Sequence, residues 1–307
     1  MSASAAPGRR YRGRFAPSPT GPLHFGSLVA ALGSWLHARH HGGTWLVRIE
    51  DLDPPREVPG AAALQLRTLA GFGLVPDEPV VRQSERHALY AEALARLQAQ
   101  GDAFACGCSR SAVAATGGIH RACVADATRG RRAIRLRAPD AEIAFDDAIQ
   151  GRVARNLLRE DGDVVLLRAD GHWAYQLAVV VDDGAQGITD VVRGADLLDS
   201  TPRQIHLQQR LGLPAPRYAH LPLAVDAAGR KLGKSLAALP VDAADPLPAL
   251  RAAWTFLGQP PAALAGATSV ARTLDAARAA FDPRRIPATA ARAPETPTRS
   301  PGDAKGR

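Results

Sequence analysis

The chain has 307 residues, 46% hydrophobic and 22% charged, with 38 Lys and Arg against 30 Asp and Glu and a formal net charge of +8. That length holds one large domain and a smaller one around a sizeable core, and the balance excludes a fibrous or wholly disordered chain, while the basic excess fits either a polyanionic partner or a solvated arginine-rich surface. Three cysteines exclude a disulfide-built secreted scaffold, no apolar run is long enough for a membrane span, and the first ten residues lack the apolar centre of a signal peptide, so the expected location is the cytoplasm.

After a flexible start over residues 1–11, residues 11–16 read as a strand and 17–22 (PSPTGP) as a turn. From 23 to 40 the apolar residues Leu28, Ala31, Leu32, Trp35 and Leu36 recur near the helical period, and Gly42-Gly43 stops the helix. Residues 44–49 (TWLVRI) form a β-rich run ending in Glu50 and Asp51. Strand, turn, helix and strand in this order make a βαβ unit, which implies a parallel sheet with ligands beyond the carboxyl ends of its strands. Helices are expected from about residue 60 and over 85–100. The segment 104–169, with all three Cys and many Arg, is expected as an insertion splitting a Rossmann-like α/β domain into 12–103 and 170–240. From Trp173, WAYQLAVVVDD reads as a buried strand, 201–211 as a helix, and 218–225 as a strand leading to a loop at 230–235. Helices over 248–257 and 270–281 make a small helical region at 241–286. The Pro-, Ala- and Arg-rich tail from residue 287 is expected to be disordered.

Two segments carry phosphate chemistry. In RFAPSPTGPLHFGSL (14–28) a helix N-terminus follows a turn, offering unpaired N–H groups and a positive dipole end, with Gly26 allowing close approach and His24 able to donate. In KLGKS (231–235), Lys231 and Lys234 can close over departing negative charge. Singly, the first reads equally as a helix cap and the second as a solvated turn. Together, in this order, they resemble the HIGH and KMSKS signatures of class I aminoacyl-tRNA synthetases in their glutamate-specific setting, with Ser27 in place of the second His. RIEDLD (48–53), WAYQLAVVVDD and ITDVVRGADLLDSTPRQI (188–205) extend the resemblance over roughly residues 12–235.

The resemblance implies that a carboxylate attacks the α-phosphorus of ATP, supplied with Mg²⁺, and expels pyrophosphate. His24, Lys231 and Lys234 would be catalytic, and His24, Gly26, Ser27 and Lys234 would contact ATP. For glutamate it implies Arg14, Phe15, Ala16, Pro17 and Ser18, with Glu50 on the ammonium, Arg14 and Arg193 on carboxylate oxygens, and Tyr175 walling the pocket. Read without the resemblance, Glu50 can be a strand-end partner of Arg48, Tyr175 a core-edge residue, and Arg193 a partner of Asp196. Glutamine or aspartate as the activated amino acid stays open.

Cys106-x-Cys108 precedes His120-x-x-Cys123, and three thiols with one imidazole can close a tetrahedral zinc site, three buried free cysteines being the alternative. The resemblance adds that glutamyl-queuosine tRNA(Asp) synthetases carry a zinc site here, usually three Cys and a Tyr, with His120 near the Tyr position. Four protein ligands leave no open coordination, which makes the expected role structural. About seventy residues follow Ser235, too few for an anticodon-binding domain, so the chain resembles these truncated paralogues rather than full-length glutamyl-tRNA synthetases. Such enzymes activate glutamate without tRNA and esterify it to queuosine in the anticodon of tRNA(Asp). The implied partners are therefore glutamate, ATP and that tRNA, with the protein acting as a monomer and residues 129–137 as a candidate RNA contact. Glutamylation of a tRNA 3′ end or of a small acceptor, and an inactive RNA-binding paralogue, are the alternatives.

Overall fold

A computed structural model describes residues 10–115, 117–123, 130–225 and 241–293. The expected loop at 230–235, with Lys231 and Lys234, lies outside the described residues, as do 1–9, 294–307 and the start of the basic stretch at 129.

The chain opens with β1 (Arg12–Phe15), α1 (Phe25–His40) and β2 (Thr44–Ile49). His24 sits in extended backbone at the N-cap of α1, and its Nδ1 accepts the amide of Ser27 at 3.3 Å, closing the first turn. The helix ends where Gly42 turns left-handed at φ 59. Leu28, Leu32 and Leu36 are fully buried, and α1 packs between the sheet and the later α7 (Pro246–Phe256). β1 and β2 pair in parallel, Arg12 opposite Thr44 through Phe15 opposite Val47, so the anticipated βαβ unit is present.

Next come α2 (Ala61–Gly71), β3 (Val81–Arg82), α3 (His87–Ala99), β4 (Ala103–Cys106), α4 (Arg110–Ala115), β5 (Ala133–Leu136), β6 (Glu142–Asp147), β7 (Gly151–Asn156) and β8 (Val164–Leu167). Then follow α5 (Tyr175–Ala185), β9 (Asp190–Gly194), α6 (Thr201–Arg210), β10 (Arg217–Leu221), β11 (Leu223–Ala224), α7, α8 (Val270–Ala280) and β12 (Ala291–Arg292). The main sheet has seven strands in the order β3-β2-β1-β9-β10-β6-β7, parallel except for the β6–β7 hairpin. This is a mixed α/β fold on a largely parallel sheet. The segment 104–169 is divided: β4, β5 and β8 make a separate antiparallel sheet, while β6 joins the main sheet beside β10.

Three expectations are corrected. WAYQLAVVVDD is not a strand, because residues from Tyr175 onward form α5. Val179, Val180 and Val181 are all buried, and a helix buried on every side shows the same unbroken apolar run as a central strand. The strand expected over 218–225 is broken at Pro222, which has no N–H to offer a ladder, into β10 and β11. The tail is ordered at its start, since Ala291 and Arg292 pair in parallel with Leu223 and Ala224.

The largest core cluster joins α1, α7 and α8 to one sheet face, with Trp45 and Trp254 both inside it. Each indole nitrogen has a partner, Ser34 Oγ at 3.0 Å and the Pro260 carbonyl at 2.9 Å, so neither ring buries an orphan donor. Truncating either to Ala removes roughly 3–5 kcal/mol. A second cluster packs α3, α5 and α6 against the small sheet through Tyr90, Leu97, Leu177, Val180 and Leu207. Among the described residues no helix is long and apolar enough to cross a membrane.

Candidate active site and metal cluster

A cavity of about 740 Å³ opens where the main strands end, bounded by the turn after β1, Glu50 after β2, Gly194 after β9 and Pro222 after β10. β1 has β2 on one side and β9 on the other, so the crevice lies at the switch point where such sheets bind ligands. Arg14, Phe15, Ala16, Pro17, Ser18, His24, Gly26, Ser27, Glu50, Tyr175 and Arg193 all line it. The sequence-predicted residues for ATP and glutamate that the structure describes thus share one wall. The turn is held in place from two sides. Glu50 donates its amide to the Pro17 carbonyl at 2.9 Å, and Gln65 spans the carbonyls of Ser18 and Gly21 at 3.0 and 2.7 Å. At the entrance to α1 the His24 ring accepts on Nδ1, which leaves its proton on Nε2.

Below the cavity floor lies an ion network. Asp183, near the end of α5, accepts Nε and Nη2 of Arg14 at 3.1 and 3.2 Å and Nη1 of Arg48 at 2.8 Å. Arg48 also reaches Glu50 Oε1 at 3.2 Å, and Asp182 takes Arg86 at 2.5 Å, the Tyr90 hydroxyl at 2.8 Å and Gln83 at 2.7 Å. Burial works against charge on Arg48, but Asp183, Glu50 and Asp182 outweigh it and raise its pKa further. Burial likewise pushes Asp183 upward, yet the two guanidiniums hold it below the ordinary carboxylate range. Glu50 goes the other way: burial dominates and raises its pKa despite Arg48 and Arg14. Glu50 is therefore both the strand-end partner of Arg48 and part of the cavity wall.

Arg14, Arg48 and Arg86 face Glu50, Asp182 and Asp183, so this network is balanced in sign. Arg193 differs. Its Nε donates to His220 Nε2 at 3.0 Å, Nη2 to Thr201 Oγ1 at 2.8 Å, and Nη1 lies 3.4 Å from the Tyr175 hydroxyl. Among the described residues no carboxylate comes within ion-pair distance of Arg193, Asp196 included. Asp183, Arg48, His220 and Asp147 were not anticipated as site residues. The local signals were Arg48 at the head of RIEDLD and the acidic pair ending WAYQLAVVVDD.

The four predicted metal ligands converge. One ligand atom each from Cys106, Cys108, His120 and Cys123 all lie within 4.8 Å of one another. His120 Nε2 is 3.2 Å from Cys106 Sγ, while its Nδ1 meets Asp163 Oδ2 at 2.9 Å, the outer carboxylate that commonly fixes a ligating imidazole. Burial drives the Cys123 thiol up to about 11, and facing Cys106 and Cys108 adds to that. A cation among the sulfurs would reverse this, since a coordinated thiol is deprotonated. The cluster is therefore able to hold a metal ion.

The chain matches the family described as tRNA synthetases class I (E and Q), catalytic domain, over residues 10–123 and 117–248. It is 66% identical over 281 residues to a glutamyl-Q tRNA(Asp) synthetase of Xanthomonas campestris pv. campestris (strain 8004), covering 91% of this chain and 94% of that protein. A protein of the same name from Burkholderia cenocepacia is 59% identical over 262 residues, covering 81% and 88% of the two chains. Among solved structures, a glutamate tRNA ligase from Elizabethkingia meningosepticum, in complex with its amino acid, superposes with a TM-score of 0.76 at 27% identity. The match covers 92% of this chain and 66% of that one, so the chain spans about two thirds of the ligase.

Proposed function

The chain belongs to the class I tRNA synthetases of the E and Q type, among the glutamyl-Q tRNA(Asp) synthetases, and from that membership we propose how its residues work. The protein is a ligase that activates L-glutamate with ATP and passes it to the queuosine base in the anticodon of tRNA(Asp). One observation carries this reading: a single cavity brings the start of α1 together with a buried acid, Glu50, and a buried guanidinium, Arg193, whose partners among the described residues are all neutral. Glutamate offers an ammonium for the first and a side-chain carboxylate for the second.

In the first step the α-carboxylate oxygen bonds to the α-phosphorus, the bond to the β-phosphate oxygen breaks, and pyrophosphate leaves with that electron pair. The helix end and the Nε2–H of His24 stabilise negative charge on the phosphates, Gly26 and Ser27 line their approach, and Lys231 and Lys234 cap the leaving group. Backbone and side chains from Arg14 through Ser18 hold the amino acid, with Tyr175 beside Arg193. In the second step a hydroxyl of the queuosine ring attacks the acyl carbon and AMP departs. Cys106, Cys108, His120 and Cys123 would hold one zinc ion, which would supply a structural cross-link for the loop after β4. The protein works in the cytoplasm, as a monomer.

Pyrophosphate exchange with glutamate and Mg·ATP, without tRNA, tests the first step, and transfer to tRNA(Asp) with and without queuosine tests the second. Arg193→Ala should raise the Michaelis constant for glutamate about 10- to 100-fold while sparing that for ATP, as expected when a charged hydrogen bond is lost. Equal effects on both substrates, or labelling of tRNA lacking queuosine, would overturn the respective assignments.

A further inference from the structure

We propose that Asp147 and His220 are positioning residues that lock one imidazole tautomer behind Arg193 and so set where its guanidinium meets the substrate. The inference rests on the glutamate reading of the cavity and deepens it.

An arginine has no acceptor atom, so the 3.0 Å contact from Arg193 Nε requires a lone pair on His220 Nε2. The single ring proton must then sit on Nδ1, which faces Asp147 Oδ2 at 2.6 Å. Asp147 cannot swing away to release it. Its other oxygen takes the amides of His220, Ile149 and Gln150 at 3.1, 3.0 and 2.9 Å, pinning the carboxylate to the β6–β7 turn. Both side chains are wholly buried. Thr201 and the Leu197 carbonyl hold Nη2 at 2.8 and 3.4 Å, so two of the three guanidinium nitrogens are fixed from behind. Nη1, beside the Tyr175 hydroxyl at 3.4 Å, is the remaining nitrogen, and both residues line the cavity.

The interposed ring has a chemical purpose. A carboxylate directly on Arg193 would orient the guanidinium but neutralise it. A neutral imidazole passes on the orientation from Asp147 and leaves the positive charge for the ligand. Neither residue lines the cavity, so the role of both is positioning rather than catalysis.

Three substitutions separate this role from simple packing. His220→Asn keeps a donor for Asp147 but does not reach Arg193, whereas His220→Gln places an amide oxygen at the Arg193 end. Asp147→Asn retains the oxygen that caps the turn and sets an NH₂ against Nδ1, which drives the ring proton to Nε2, donor against donor. In pyrophosphate exchange, His220→Asn should raise the Michaelis constant for glutamate about 10- to 100-fold with that for ATP unchanged, and His220→Gln should recover most of it. Asp147→Asn should raise it alone but add little in the His220→Gln background. Nitrogen-15 NMR of the wild-type imidazoles should show His220 protonated on Nδ1. A wild-type proton on Nε2, a Gln variant as impaired as Asn, or an Asp147→Asn effect of equal size in both backgrounds overturns the proposal. If Arg193→Ala also leaves glutamate binding intact, the reading of the pocket fails. If Arg193→Ala impairs it while His220→Asn does not, only the positioning role fails.

Discussion

Replacing Asp183 with Asn tests the ion network under the cavity most directly. The side chain is nearly isosteric, so volume is unchanged, but the acceptor inventory is not. Asp183 receives three N–H groups, two on Oδ1 from Arg14 and Arg48 and one on Oδ2 from Arg14. An Asn that keeps its oxygen at the Oδ1 position sets an NH₂ against Arg14 Nη2 across 3.2 Å, donor to donor. The flipped amide is worse, because it opposes two donors. Charge balance also changes: Arg14 and Arg48 are 3% and 0% exposed, and the network gains one uncompensated buried positive charge. Breaking a buried pair from one side costs about 3–5 kcal/mol. Urea denaturation of both proteins at pH 7, read through midpoint and slope, should show a loss of that size. A loss below about 1 kcal/mol, with the slope unchanged, would mean that water or movement already screens these guanidiniums and would refute the reasoning.

Two further perturbations reach other parts of the molecule. His37 is buried beside His41 and His40, and burial foremost lowers its pKa from 6.5 to about 4. Below pH 6.5 the unfolded chain therefore takes up a proton that the folded chain refuses until about pH 4, so stability falls across that window. Between pH 7 and 5 this group alone should remove about 2 kcal/mol, and His37→Gln should flatten the urea-midpoint profile by that amount; parallel profiles would refute it. Gly162 has φ +71, and a Cβ there would lie 2.4 Å from the carbonyl oxygen of His120. Gly162→Ala should displace the His120 loop and weaken the cluster's binding of added Zn²⁺ about 10- to 100-fold in competition with a chromophoric chelator, and unchanged affinity would show that the loop is not positioned by this contact.

The readable parts of the sequence were those governed by local spacing. The β1–α1–β2 unit announces itself because the run that becomes α1 is too long for a strand and ends at a glycine stop, and the metal cluster because its ligands fall within one short stretch. Helix α5 is illegible because its apolar run, Leu177 through Val181, is no longer than a strand and is rich in β-branched valine. The network around Asp183 depends on partners 169 and 135 residues away, and Asp147 meets His220 across 73, distances that only the closed sheet resolves. The β6–β7 hairpin shows the same limit. Nothing in its sequence says that it extends the main sheet rather than the small one, yet that placement is what delivers Asp147 behind Arg193.

The short parallel pairing of β11 with β12 bears on the order in which the protein is made. Arg292, in β12, donates to the Phe256 carbonyl at 3.1 Å and lies over its ring, and Phe256 in turn meets Phe25 edge-on at the first turn of α1. The helix that opens onto the cavity thus leans on residues that leave the ribosome long after it. A nascent chain halted short of Ala291 has every described residue of the cavity wall but lacks the strand that buttresses it. Translation of β12 is in that sense a late stage in assembling the cavity wall at α1.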